Sequence, residues 1–342
     1  MISKKSVIIS LLPLSPVRSG MQNTTYLLHK FLKKKKQKII FIEIKTSNKI
    51  DPIINLRFNK FEEKKINKIV NFHKPDNIFV NTTKILNTYR DILLANKRTF
   101  KTILISHDLY FFRKKFLKQA KVKDQTFLEK QHEINLIKKT NFIMDFSKEE
   151  QNYLIKNGIK INQLINTMTP TGQFKKNYNH NAKFDALYLA SDWLQNKINI
   201  IWLKKKIHFK SKNLRLLLLG NIHKFKKKLN KELTIKTYQK KNISLAKLGL
   251  ALFNSGTGRK VKIFEMLAAG LPVITNLDLS EFGLKKNKHY IGIDNNKLIN
   301  QAISKLLINV NLRKKLSKNA YNWSKKNSFY IFAFKKINKI LR

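Results

Sequence analysis

Residues 255–275 read SGTGRKVKIFEMLAAGLPVIT. Gly256 and Gly258 open the stretch, the basic pair Arg259 and Lys260 follows, an apolar-periodic segment runs to Gly270, and Pro272 introduces the β-branched triplet Val273–Thr275. That order predicts a loop, a short helix, a left-handed glycine stop at Gly270 and a strand. Val261, Phe264, Leu267 and Ala268 form the expected core stripe of the helix, while Lys262 and Glu265, three residues apart, share the opposite face. A glycine-rich turn lets backbone N–H groups approach a ligand, and the helix behind it aims its positive end at an anion. Lys262 and Glu265 are then either a solvated surface pair or a cation and a carboxylate presented at the lip of a domain. Two nucleotide motifs fail on spacing. The third position of G-x-G-x-x-G is Val261, and no Gly-Lys-Ser/Thr follows at the distance a phosphate-binding Walker loop requires.

The same alternation extends through the chain. Val7–Leu12 is an apolar run, followed by a loop with Pro, Ser and Gly, then Tyr26–Leu32 at helical spacing, a basic turn and a second apolar run at Ile39–Ile44. This is the strand-helix-strand unit of a parallel sheet. Further short apolar runs occur at 77–80, 102–106 and 141–146, and after a polar stretch at 186–190, 214–220, 249–253, 273–275 and 290–293. The expected fold class is therefore α/β, two facing doubly wound Rossmann-like domains with a cleft between them. The boundaries are an N-terminal domain at 1–170, a linker at 171–183, a C-terminal domain at 184–320 and a terminal helix at 321–342 expected to pack back on the first domain.

Composition excludes several classes of function. The chain has no cysteine, which removes disulfides, thiolate nucleophiles and cysteine-ligated metals. Its ten aspartates include no Asp-x-Asp pair and its eight histidines no HExxH, so no metal ligands are expected. The apolar runs are far short of the ~20 residues of a membrane-spanning helix. Lys4 and Lys5 ahead of an apolar run imitate a signal peptide, but Pro13 interrupts the run and no small-x-small site follows, so the segment is read as the first strand. A net charge of +51 invites a polyanion partner, yet only nine of the 71 basic residues are arginine, and Asn, Ile and Phe are abundant alongside Lys. That joint excess fits AT-rich coding. Nucleic acid is not expected as a partner, whereas an anionic membrane surface suits runs such as Lys33–Lys36.

The 255–275 stretch resembles the donor-binding motif of the retaining glycosyltransferases of family 4, which have the GT-B fold and use nucleotide-sugars. Other segments resemble that family in the right order. Pro13–Gly20 is similar to its glycine-bearing first loop, SHDLYFFR to its His-bearing loop, HEINLIKKTNFIMDFSKEE to its helix-strand-helix segment with a Ser-x-x-Glu start, FDALYLASD to the first strand of its second domain, and AISKLLINVNLRKKLSKNAYNWSKKNSF to its C-terminal helices. The resemblance implies donor binding by Gly20, Gly256, Thr257, Gly258, Lys262 and Glu265. Glu265 takes the glutamate position that hydrogen-bonds the ribose hydroxyls, Gly20 the loop approaching the diphosphate, and His107 the catalytic-site histidine at the floor of the sugar pocket. Asp108 either orients that imidazole or caps the next helix. Two departures stand out. Thr257 occupies a position where many members carry a second glutamate, and the basic pair that neutralises the diphosphate has no clean counterpart, leaving Lys197 and Lys204 as candidates.

The resemblance implies a retaining, metal-independent hexosyl- or related glycosyltransferase of cell-surface glycan synthesis. It would have no cofactor, a nucleotide-sugar as substrate and a glycan or lipid-linked acceptor, and would be cytoplasmic or peripheral at the inner face of a membrane. Two alternatives come from other classes: a GT-B-shaped scaffold subunit without turnover, and, on charge alone, a polyanion-binding protein.

Overall fold

The computed structural model describes residues 4–341 except 18, 46–55, 57, 96–98, 108, 113–127, 173, 175–177, 192–193, 208–213, 221–232 and 255–259. Two parallel six-stranded sheets organise the molecule. The first comprises β1 (Lys5–Ser10), β2 (Lys38–Glu43), β3 (Asn77–Asn81), β4 (Lys101–Ile105), β5 (Phe142–Met144) and β6 (Leu164–Ile165) in the order β2-β1-β3-β4-β5-β6. The second comprises β7 (Phe184–Leu189), β8 (Leu216–Leu219), β9 (Leu233–Lys236), β10 (Ala246–Ala251), β11 (Val273–Thr275) and β12 (Ile291–Gly292) in the order β12-β11-β10-β7-β8-β9.

The central strands are apolar on both faces because helices cover both. In β1, Ile8 packs with Leu27, Leu28, Phe31 and Phe79 on one side, while Val7 and Ile9 join Ile66, Ile78 and Val80 on the other. The helices used below are α1 (Gly20–Lys34), α2 (Lys60–His73), α3 (Lys130–Lys138), α4 (Lys148–Lys156), α5 (Leu194–Lys206), α6 (Val261–Ala268), α7 (Ile299–Ile308) and α8 (Val310–Asn327). Strand order reverses between β1 and β3 in the first sheet and between β7 and β10 in the second. At such a switch point the loops leaving neighbouring strands diverge to opposite faces and open a crevice at the carboxyl ends. The loop from β1 to α1 and the loop from β10 to α6 leave from these two points. Topology therefore selects the ends of β1 and β10, and the starts of α1 and α6 that follow them, as the rims of a shared cleft.

The chain crosses between the sheets twice, side by side. Thr171 N–H donates to the Ser328 carbonyl at 2.7 Å and Tyr330 N–H to the Thr171 carbonyl at 3.0 Å. Helix α8 runs unbroken past residue 320, with Ala320 and Trp323 in the core of the second sheet. After it, Phe334, Ile337 and Ile340 are buried in the first domain's core, and the Phe334 ring lies 5.6 Å from that of Phe31.

Two strands have no counterpart in the apolar-run pattern. Both are sheet edges: β6 is two residues long, and in β9 Leu233 and Ile235 are half-buried while Thr234 and Lys236 face solvent. A short edge strand needs no continuous apolar run, since one of its faces and one of its sides can stay wet.

Candidate functional site

Helix α1 begins where the sequence supplies a cap. The Ser19 side chain accepts from Gln22 N–H at 3.2 Å, and the Gln22 amide donates to the carbonyls of Pro13 (2.6 Å) and Pro16 (2.8 Å), tying the preceding loop to the first turn. Gln22, Asn23, Thr24 and Thr25 are all buried, so this end of the helix is polar and enclosed. Asn81, at the end of β3, donates to the hydroxyls of Thr25 (2.5 Å) and Ser10 (3.3 Å) across the switch point.

Across the cleft, α6 ends as its sequence predicts. Gly270 adopts φ +76, Gly270 N–H bonds the Leu267 carbonyl and Leu271 N–H the Met266 carbonyl, the paired bonds of a Schellman stop. The buried stripe differs from the simple periodicity. Ile263, Phe264, Met266, Leu267 and Ala268 are buried, whereas Val261 is half-buried and its side chain sits 3.3 Å from the place a Cβ on Gly20 would take. Packing between the sheet and α8 uses a wider face than four positions, and the first turn is turned toward the other domain. Phe264, 1% exposed, anchors the helix edge-on to Phe282 and beside Trp323. Burying such a ring contributes about 1.5–3 kcal/mol.

The solvated-pair reading of Lys262 and Glu265 does not hold. Both are half-buried, and no ion pair joins either to another described residue. The Lys262 ammonium donates to Asn196 Oδ1 at 2.7 Å and lies 4.7 Å from the Tyr188 ring centroid and 5.1 Å from that of Phe253. Burial, with the charge of Lys260 adding to it, brings its pKa down to about 7. Glu265 Oε1 accepts from Asn23 Nδ2 at 3.1 Å, a bond that crosses from the second domain to the first. Burial pushes its carboxyl up to about 7, a rise opposed by Lys240 and by the Tyr238 hydroxyl.

The structure thus brings Gly20, Lys262 and Glu265 to the facing ends of α1 and α6. Lys197 follows the buried Asn196 in the first turn of α5 and is half-buried near this end. Lys204 lies eight residues beyond Asn196, about 12 Å along the helix at 1.5 Å per residue. Gly256, Thr257, Gly258 and Asp108 lie outside the described residues.

His107 follows β4 with φ +57, and Asp145 follows β5 with φ +63. Holding a residue other than glycine in the left-handed region costs on the order of 1 kcal/mol or more, and adjacent strands doing so mark a place where side-chain aim outweighs backbone comfort. The two side chains meet, His107 Nδ1 lying 2.5 Å from Asp145 Oδ2, with exposures of only 9% and 3%. Two further carboxylates clamp the loop that follows. Glu150 accepts from Leu109 N–H at 2.7 Å, and Glu133 from the N–H groups of Tyr110 (2.9 Å) and Phe111 (3.1 Å). Glu150 is also the capping-box residue of α4 with Ser147, so the Ser-x-x-Glu signal marks a residue that both starts a helix and holds the histidine loop. Asp145 was not singled out in the sequence, because FIMDF reads as a strand running through it.

No known family profile and no curated protein sequence matches this chain. Solved structures do. Sucrose-phosphate synthase from Thermosynechococcus elongatus is similar at TM-score 0.77 over 99% of this chain and 98% of that one, with 14% identity. An alpha-glucosyltransferase in complex with UDP and a 13-mer DNA containing an HMU base is similar at TM-score 0.67, 14% identity and full coverage of both chains. Anabaena HepE in complex with UDP-glucose is similar at TM-score 0.66 and 11% identity, covering 98% of this chain and 99% of that one. With two facing six-stranded parallel sheets, the chain has the GT-B fold of these glycosyltransferases.

Among the described residues, no helix is long and apolar enough to cross a membrane, and no group of three or more His, Asp or Glu residues is placed to hold a metal ion.

Proposed function

We propose that this chain is a glycosyltransferase that moves a sugar from a nucleotide-sugar donor with retention of anomeric configuration and without a metal ion. One observation carries the reading: the N-terminal ends of α1 and α6 meet across the cleft, Gly20 against Val261 and, one turn further into α6, Asn23 against Glu265. Two helix N-termini converging on one gap make a site for a diphosphate, with backbone N–H groups and Lys262 stabilising the charge that grows as it leaves. Glu265 then exchanges the Asn23 amide for ribose hydroxyls. His107 faces the sugar, and the glycine loop 256–258 completes the donor site. The chemistry needs no side-chain nucleophile: the acceptor hydroxyl is placed against the anomeric carbon, and the departing phosphate takes its proton.

The acceptor proposed is a glycan or a lipid-linked sugar in cell-surface synthesis. The resemblance to family 4 and the UDP-glucose and UDP held by the HepE and alpha-glucosyltransferase structures support the donor class. Lys33–Lys36 are exposed at the far end of α1 from Gly20, an arrangement that leaves the donor end free when the run faces an anionic membrane.

The test is a panel of nucleotide-sugars offered to the purified chain, with bound and hydrolysed species identified by mass spectrometry. One donor should be retained and slowly hydrolysed, and turnover should persist in excess chelator. Loss of turnover on chelation, restored by manganese or magnesium, would refute metal independence. Binding without turnover on any acceptor would favour the scaffold alternative that Thr257 raises.

A further inference from the structure

The histidine loop carries a carboxylate partner to which the proposed chemistry gives no role. His107 and Asp145 leave neighbouring strands, both in left-handed backbone, and meet through Nδ1 and Oδ2 at 2.5 Å. An ionised carboxylate only accepts, so the Nδ1 position facing it carries the proton. In a neutral imidazole the other nitrogen, Nε2, is then a lone-pair acceptor. That nitrogen is buried and has no hydrogen-bond partner among the described residues. A buried polar atom left without a partner, on a ring whose other nitrogen is held by a carboxylate, points to a ligand group that supplies one.

We infer that Asp145 is the positioning residue of His107: it holds the proton on Nδ1 and so presents Nε2 as an acceptor for a hydroxyl of the transferred sugar. This rests on the glycosyltransferase reading. Asp145 itself touches no substrate; it acts through the imidazole. The clamps from Glu133 and Glu150 fix the backbone after His107, and Asp145 fixes the ring's tautomer and rotation. Without the carboxylate the neutral ring can place its proton on Nε2, which then opposes a donor to a site built to accept.

The test reads the tautomer directly. Protein labelled with 15N-histidine is examined by long-range 1H–15N NMR at a pH where imidazole is neutral, with His107→Gln used to assign the ring. The wild-type ring should be the Nδ1–H form, and Asp145→Ala and Asp145→Asn should move it to Nε2–H or to a mixture. In parallel, calorimetry compares a nucleoside diphosphate with the nucleotide-sugar retained from the panel. Both variants should bind the diphosphate within about twofold of wild type and the nucleotide-sugar about tenfold more weakly, matching His107→Gln. An Nε2–H ring in the wild type, or an unchanged ring in either folded variant, overturns the assignment. Equal losses for both ligands overturn it too, because a merely structural role would produce them. If the wild type binds no member of the panel, the glycosyltransferase reading fails, and the tautomer measurement alone decides what Asp145 does to His107.

Discussion

The two sides of the cleft handle buried charge in opposite ways. On the first domain, His107 meets Asp145 at 2.5 Å, and the glutamates nearby spend their oxygens on backbone N–H groups. On the second, Lys262 and Glu265 lean on neutral partners, Asn196 and Asn23, with aromatic rings around the ammonium. Neutral partners do not offset the cost of desolvating a charge, and both pKa values are displaced toward the uncharged form, to about 7. On the first domain the carboxylates already have their partners, and the atom left over is the neutral side of a ring, His107 Nε2. On the second the charges themselves lack ion-pair partners among the described residues, and under the proposed function a nucleoside diphosphate supplies an anion for Lys262 and hydroxyl donors for Glu265.

Glu265→Gln is the strongest way to break that contrast. Loss of a hydrogen bond to a charged group costs roughly 1.5–3 kcal/mol, so nucleoside diphosphate binding should weaken about 10- to 150-fold. Calorimetry on the folded variant gives the answer. Unchanged affinity would mean that Glu265 serves the Asn23 contact between domains and not the nucleotide.

A smaller effect follows from the two displaced pKa values. Glu265 is raised, so the folded state binds more protons than the unfolded between its ordinary value and about 7, and its contribution to stability falls as pH rises through that window. Lys262 is lowered, so the folded state binds fewer protons between about 7 and its ordinary value, and its contribution grows as pH rises through that window. Without ligand, the pair should carve a shallow minimum near neutral pH. Urea melts from pH 5 to 10 should lose the falling limb in Glu265→Gln and the rising limb in Lys262→Met. If both variants track the wild type in parallel across that range, these side chains are better solvated than their surroundings indicate.

Legibility in the sequence follows the same division. The second domain's site is local: loop, Lys262, Glu265, Gly270 and the next strand fall within 21 residues, and one helical period places them. What that period missed was tertiary, since only the facing domain turns Val261 outward onto Gly20. The first domain's site is assembled from separate strand ends. His107 was found through a family-like loop, but its partner lies 38 residues on, at the end of an apolar run, and Asp108 beside it was the only orienting group that local reading offered. Strand pairing brings Asp145 into place, and no spacing rule encodes it. The central strands were legible because burial on both faces demands continuous apolar runs. The edges β6 and β9 were not, because that demand is relaxed there.

The smallest effect tests whether the two sides close as tightly as they stand. Gly20 is the first residue of α1, and its φ lies outside the left-handed region, so alanine fits the local backbone and is the better helix former. Thermal stability should hold or rise slightly. The new methyl, however, would lie 3.3 Å from Val261 Cβ and Cγ2, closer than a comfortable contact, and a β-branched side chain with restricted χ1 has little room to yield. The domains must then separate by a few tenths of an ångström, and the helix ends with them. Such mild overpacking at a partly exposed seam should cost under about 1 kcal/mol, seen as two- to fivefold weaker binding of the nucleoside diphosphate. Val261→Ala removes the methyls but keeps the Cβ, so the double variant should recover part of that loss, a coupling that a double-mutant cycle measures. Stability and affinity falling together would place the fault in α1 itself. Affinity untouched by Gly20→Ala would mean that the liganded cleft is wider here, and that the diphosphate is held by one helix end and not by two.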